Sequence, residues 1–234
     1  MRLDKYLQEN KFAESRQKAV ILIDSGGVYV NGKQVFKHST EITDEIVEIK
    51  GETIPYVSRG GLKLEAALIA FNIDCTNLIC VDIGASTGGF TDCLLQNGAQ
   101  KVYAIDCGTN QLHEKLRNDP RVISIENFNA RNLDKNTIGE KCDLLTIDVS
   151  FISQTLIIPN AVKILKNNRT FISLIKPQFE VRKDGDINNH ESAIKRVIDC
   201  AESNNLKYMG HIKSPITEEY LGVFNFEKYN GNNQ

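Results

Sequence analysis

The chain has 234 residues, 41% of them hydrophobic and 25% charged, with a formal net charge of −2. That length suits one large domain, or a medium domain plus a small one, with enough apolar residues for a core without staples. A charge this close to neutral does not by itself advertise a nucleic-acid binder, and no apolar run approaches the ~20 residues of a membrane span. Charges at positions 2, 4 and 5 exclude a signal peptide, and the six cysteines include no CxxC pair. They read as small hydrophobes, so no metal site or disulfide is expected, and the expected compartment is a reducing cytoplasm.

In chain order, residues 3–9 and 14–24 read as helices, the second capped by Ser15 and stopped by Ser25-Gly26-Gly27. Val28–Val30 reads as a strand, Asn31-Gly32 as a hairpin turn, Gln34–Phe36 as the return and Ile46–Ile49 as a further short strand. This unit, residues 1–55, has little core and suits a docking module. Residues 1–40 carry seven lysines and arginines against four acids, whereas residues 41–56 carry one lysine against five acids. Gly51–Pro55 reads as a linker, and a helix follows at 64–71.

Beyond it, strands are predicted at 79–83, 101–105, 121–125, 143–147, 170–175, 207–212 and 221–226, and helices at 89–97, 110–116, 153–166 and 189–204. Alternation of this kind predicts an α/β domain over 56–230, a Rossmann-like, mostly parallel sheet with helices on both faces and an antiparallel hairpin at its edge. Only the tail, Asn230–Gln234, reads as disordered.

Val81–Phe90 is the richest stretch: a buried strand ending in Asp82, a glycine-rich turn (Gly84, Gly88, Gly89) and a helix. The next strand ends in Asp106, 22 residues after Gly84, the spacing at which a carboxylate grips ribose hydroxyls. Ser86 stands where a pyrophosphate-binding loop needs its second glycine, and no GKS or GKT follows. An acid at Asp82 suits a cationic ligand better than a pyrophosphate. S-adenosylmethionine fits all three observations; the bland alternative is a tight strand–helix turn. Asp148 ends another strand at the edge facing the ligand crevice, where a carboxylate serves either the cofactor or a helix N-terminus. Lys176 ends the strand before Pro177, where an amine is costly unless paired or functional, although a lysine can also snorkel from a sheet rim. Lys63, on a helix, reads by itself as a solvated lysine.

With these residues in place the chain resembles the TlyA family, the haemolysin A proteins or rRNA (cytidine-2'-O)-methyltransferases. Arg2–Leu7, Glu14-Ser15-Arg16 and Val30-Asn31-Gly32 look like an S-four type RNA-binding domain. Tyr56–Leu64, Asp82–Phe90, Asp106 with Asn110-Gln111-Leu112, Asn129-Ala130-Arg131, Ile147–Ser153, Lys176–Glu180 and Ser214-Pro215-Ile216 look like family motifs. The resemblance implies an FtsJ-like methyltransferase domain with a Lys-Asp-Lys-Glu tetrad for ribose 2'-O-methylation. Lys63, Asp148 and Lys176 fall on its first three positions. The fourth departs: an ungapped match puts Phe224 there, with Glu218, Glu219 and Glu227 as substitutes.

By the same resemblance Asp82, Gly84, Ser86, Gly88, Asp106, Asn129 and Asp148 hold S-adenosylmethionine, with Asn129 at the adenine edge. Arg2, Lys5, Arg16, Lys18 and Arg59 hold ribosomal RNA or a ribosomal subunit, mainly through phosphates. Lys176 is the implied base, which requires burial beside a second cation to free its amine. Two other readings stay open. A membrane-active haemolysin has no spanning segment and no basic amphipathic helix behind it, and no stable membrane insertion is expected. A cofactor-holding RNA- or ribosome-binding protein without turnover is kept alive by the displaced glutamate.

Overall fold

The structure, a computed structural model, describes residues 1–24, 26–50, 54–181 and 189–227. Ser25, most of the expected linker and the tail from 228 onward lie outside the described residues. The N-terminal unit holds α1 (Leu3–Glu9), α2 (Arg16–Asp24), β1 (Val28–Val30), β2 (Lys33–Gln34) and β3 (Val47–Ile49). Its strands form an antiparallel sheet in the order β2-β1-β3. Leu3, Leu7, Ala19, Ile23, Val28 and Ile42 are its small buried core.

The larger unit runs α3 (Gly60–Ala70), β4 (Ile79–Ile83), α4 (Gly89–Gln96), β5 (Lys101–Ile105), α5 (Glu114–Arg117), β6 (Val122–Ile125), β7 (Cys142–Ile147), α6 (Ile158–Ala161), β8 (Leu165–Ile175), α7 (Pro177–Glu180), α8 (His190–Glu202), β9 (Leu206–Lys213) and β10 (Tyr220–Phe226). Its seven strands lie in the order β6-β5-β4-β7-β8-β10-β9. β6 to β8 in that order are parallel, and β10 inserts antiparallel between β8 and β9. β4, β7 and the buried end of β8 are near-continuous apolar runs, as a sheet covered on both faces requires. One core face packs Ile147, Phe171 and Phe224 with Val197 of α8. The other packs Leu64 of α3 and Leu94 of α4 on Cys80, Leu144 and Leu174. The chain leaves β4 for β5 on one side and returns to β7 on the other, so a crevice opens at the carboxyl ends of β4 and β7.

Several elements differ from expectation: the helix expected at 110–116 is the short α5, Glu114–Arg117, and the return strand expected at Gln34–Phe36 is Lys33–Gln34. The helix expected at 153–166 is broken into 3-10 turns at Gln154–Leu156 and Val162–Ile164 around the four-residue α6, which carries Pro159 in its first turn. β8 begins five residues earlier than predicted. Its polar start, Lys166–Arg169, runs from the end of the expected helix to the start of the expected strand; there Lys166 and Arg169 both pair with Asp143 of β7. α3 begins at Gly60, four residues before the expected start, and the Tyr56 ring lies 2.3 Å from where a Cβ on Gly61 would sit, so that position takes only glycine.

Candidate active site

The carboxyl end of β4 turns through Gly84, at φ +84°, where a Cβ would fall 2.2 Å from the carbonyl oxygen of Asp148. Only glycine satisfies both the left-handed backbone and that approach. The close contact brings the loop after β4 against the end of β7. Ser86 also has a positive φ, 48°, and Gly88, at 97°, opens α4. Asp106 anchors the turn from the next strand: its carboxylate accepts the Ser86 N–H at 2.8 Å and the Gly108 N–H at 2.7 Å.

A cavity of about 520 Å³ lies over these ends, lined by Gly84, Ser86, Asp106, Asn129 and Asp148 with apolar Phe128 and Ile157. This is within the size range of small-ligand pockets. Asn129 uses its carbonyl oxygen locally, accepting from the backbone and side chain of Arg131. A second chamber, about 210 Å³, is lined by Arg59, Lys63 and Ser58 and shares Gly84, Ser86 and Asp148 with the first. Asp148 thus stands between the two.

Asp82 does not reach either cavity. It is fully buried, and its two oxygens accept hydroxyl bonds from Thr91 of α4 at 2.7 Å and Thr146 of β7 at 3.0 Å. Burial, countered by those hydroxyls and reinforced by the Asp148 charge, pushes its carboxyl up to about 7. It ties the loop to its neighbours from beneath rather than meeting a ligand directly.

The three residues of the implied tetrad converge. Lys176, at 8% exposure, lies 2.5 Å from Asp148 Oδ1 and donates to Ser150 Oγ at 3.0 Å. The Lys176–Asp148 contact is an ion pair without hydrogen-bond alignment, so this buried oxygen has no hydrogen-bond donor among the described residues. Lys63, equally buried, donates to Glu219 Oε2 at 2.5 Å. Thr217 donates to the same oxygen at 2.6 Å. Burial by itself would raise the Glu219 carboxyl, but Lys63, Thr217 and the nearby charge of Lys176 outweigh it and hold the group below its ordinary value. Glu219 is therefore ionised between the two lysines.

The structure also separates the candidates for the fourth position. Phe224 is fully buried against Phe171 and Tyr208, in the middle of β10. Glu218 pairs with Lys213 in solvent, and Glu227 sits at the far end of β10 opposite Lys207. In the β8–β10 register Tyr220 faces Ile175, so Glu219 and Lys176 are the next residues outward, at the end where the site lies. Antiparallel pairing of the last strand with β8 was the signal that would have selected Glu219; the sequence reading paired β10 only with its hairpin partner. Ser150 and Glu180 were also missed as individual residues. Buried Glu180 accepts from Ser153 Oγ at 2.5 Å and Gln154 N at 2.8 Å, fastening the Asp148–Ser153 turn to the segment after Lys176.

Of the expected RNA-binding residues, Arg2, Arg16 and Lys18 line one groove. Lys5 pairs instead with Glu9 on α1. Arg59 lies over the Phe36 ring at 5.3 Å, at the mouth of the smaller chamber.

Residues 56–219 match the FtsJ-like methyltransferase model, and residues 1–44 match the S4 domain. The chain is 46% identical to "Hemolysin A" of Brachyspira hyodysenteriae, over 96% of this chain and 99% of that one. It is 42% identical to "16S/23S rRNA (cytidine-2'-O)-methyltransferase TlyA" of Mycobacterium tuberculosis, over 78% of this chain and 69% of that one. Among solved structures, a hemolysin-named protein from Streptococcus thermophilus matches with TM-score 0.76 and 38% identity, over 97% of this chain and 89% of that one.

Proposed function

This chain belongs to the FtsJ-like methyltransferases, within the haemolysin A/TlyA family that joins them to an S4 domain, and on that premise we propose that it methylates the 2'-hydroxyl of a cytidine in ribosomal RNA from S-adenosylmethionine. The observation that carries the reading is the convergence of two ion pairs, Lys63–Glu219 and Lys176–Asp148, with Asp148 lining both chambers and Lys63 the smaller one. The larger chamber suits the cofactor: Asp106 and Asp148 both line it, and Asp106 offers carboxylate oxygens to ribose hydroxyls. When bound, S-adenosylmethionine supplies the methyl group on a sulfonium sulfur.

A ribose 2'-hydroxyl is a poor nucleophile at neutral pH and needs a positioned base. Lys176 Nζ is the candidate to take its proton. Asp148 and Ser150 fix that amine in one place. Lys63, held by Glu219, brings a second positive charge to the same cluster. The S4 domain supplies affinity for the RNA substrate, largely through phosphates. The reaction places the protein in the cytoplasm, where ribosomes are made.

The presence of Glu219 beside Lys63 favours catalysis over passive cofactor binding. No helix among the described residues is long and apolar enough to cross a membrane. The test is transfer of tritium from labelled cofactor to isolated ribosomal subunits, followed by mapping of ribose methylation. Label on a cytidine 2'-oxygen is expected; cofactor binding without transfer to either subunit would overturn the reading.

A further inference from the structure

A second groove, about 670 Å³, runs between the S4 domain and the methyltransferase body. One wall is the expected RNA-binding set. Arg2 and Arg16 both bond the carboxylate of Asp4, at 3.0 and 2.9 Å, while their own side chains stay 46% and 57% exposed. The two guanidiniums hold Asp4 down to about 2. It therefore acts as a buried strut that aims two arginines at the groove. Lys18 joins them, with no carboxylate partner among the described residues.

The opposite wall belongs to the catalytic body and was assigned no role by sequence. It presents Asn110, His113 and Arg117 from α5 and the loop before it. Arg117 is exposed and has no carboxylate partner among the described residues. His113 Nδ1 accepts the Lys115 N–H at 3.1 Å, which leaves Nε2 to carry the ring proton as a donor. Burial, with the Lys18 charge beside it, pushes the imidazole down, so it is a neutral donor at physiological pH. Against the four cations Arg2, Arg16, Lys18 and Arg117 the groove holds two carboxylates, Asp4 and Glu114, and Asp4 is already spent on two arginines.

The groove also leads to the site. Thr87 lines both it and the Lys63 chamber, and Gln111 lines both it and the cofactor chamber. Cations and neutral donors on facing walls suit a phosphodiester backbone, whose charges repeat along a strand.

We infer that this interdomain groove clamps the RNA backbone leading to the target ribose, with Arg117 and His113 of the catalytic body contacting phosphate opposite Arg2, Arg16 and Lys18. The inference rests on the RNA-methylating reading and extends it from the S4 domain onto the methyltransferase. The full-length chain and its Arg117→Gln and Arg16→Gln variants are titrated with a short fluorescein-labelled RNA hairpin across a range of salt. Calorimetry with S-adenosylmethionine and thermal melts accompany each variant. Arg117→Gln is expected to weaken RNA binding on the order of tenfold at 0.1 M salt and to reduce the slope of log K against log salt by roughly 1. Its cofactor affinity and melting temperature stay those of the parent. A 4-thiouridine hairpin should also cross-link to the peptide holding residues 110–117. If Arg16→Gln weakens RNA binding while Arg117→Gln leaves affinity and slope unchanged, the clamp is wrong and the RNA reading survives. If the parent chain binds no RNA at any salt, both fall.

Discussion

Asp82 and Glu219 show how little a residue's type says about its charge once the fold has placed it. Asp82 lies fully buried with two threonine hydroxyls and no cation partner among the described residues, and burial pushes its carboxyl up to about 7. The folded chain keeps a proton there that the unfolded chain releases above its ordinary value of 3.8. Stability therefore falls as pH rises between those two values, and the loss is complete above the folded one. Asp82→Asn keeps the shape and removes the titration. Its melting temperature should exceed the parent's increasingly from about pH 5 to about pH 8, by up to roughly 2–4 kcal/mol of stability. Calorimetric curves that stay parallel over that range would refute the assignment. Glu219 is the converse, a half-buried acid kept ionised by Lys63 and Lys176. Glu219→Gln should lower kcat by on the order of 10²-fold or more while cofactor affinity holds, since general acid–base constellations supply about 10²–10⁴. Glu218→Gln, one residue away and paired only in solvent with Lys213, should leave the rate alone.

At the scale of elements, the site is a set of strand ends. β4, β5, β7 and β8 deliver Gly84, Asp106, Asp148 and Lys176 to one edge because parallel strands share a direction. β10 runs the other way, so its first residues reach that edge, and the residue just before Tyr220 completes the set. The loop after β4 tolerates no side chain at Gly84. Gly84→Ala combines a left-handed backbone with a contact 2.2 Å from the Asp148 carbonyl. It should destabilise the chain by roughly 2 kcal/mol or more and displace Asp148 from Lys176. Urea denaturation checks the first, and loss of methyl transfer in the folded fraction checks the second. A variant as stable and active as the parent would show that the two strands can part without consequence.

At the scale of the molecule, the two units meet beside the smaller chamber. The Arg59 N–H donates to the Asp24 carbonyl at 3.3 Å, and the Arg59 guanidinium rests on Phe36. An exposed cation–π contact is worth about 0.5–1 kcal/mol. Phe36→Ala should therefore raise KM for RNA roughly two- to fivefold, with no change in cofactor affinity. An altered cofactor affinity would mean that the contact shapes the catalytic body instead.

By itself the sequence determined the alternation of strands and helices, the glycine turn, Asp106 at its spacing, and the ends of β7 and β8, because burial on both faces and turn chemistry are written locally. It also held Lys63, Asp148 and Lys176, though Lys63 took meaning only from resemblance. The tertiary structure decided the rest. Asp82 turned inward to meet two threonines from separate elements. Phe224 packed into the core between Phe171 and Tyr208, and Glu219 emerged beside Lys63, 156 positions away in the chain. Arg117 came to face Arg16 across a groove. Each of these depends on which strand pairs with which and in what direction, and that is fixed by contacts between distant segments rather than by any pattern along the chain.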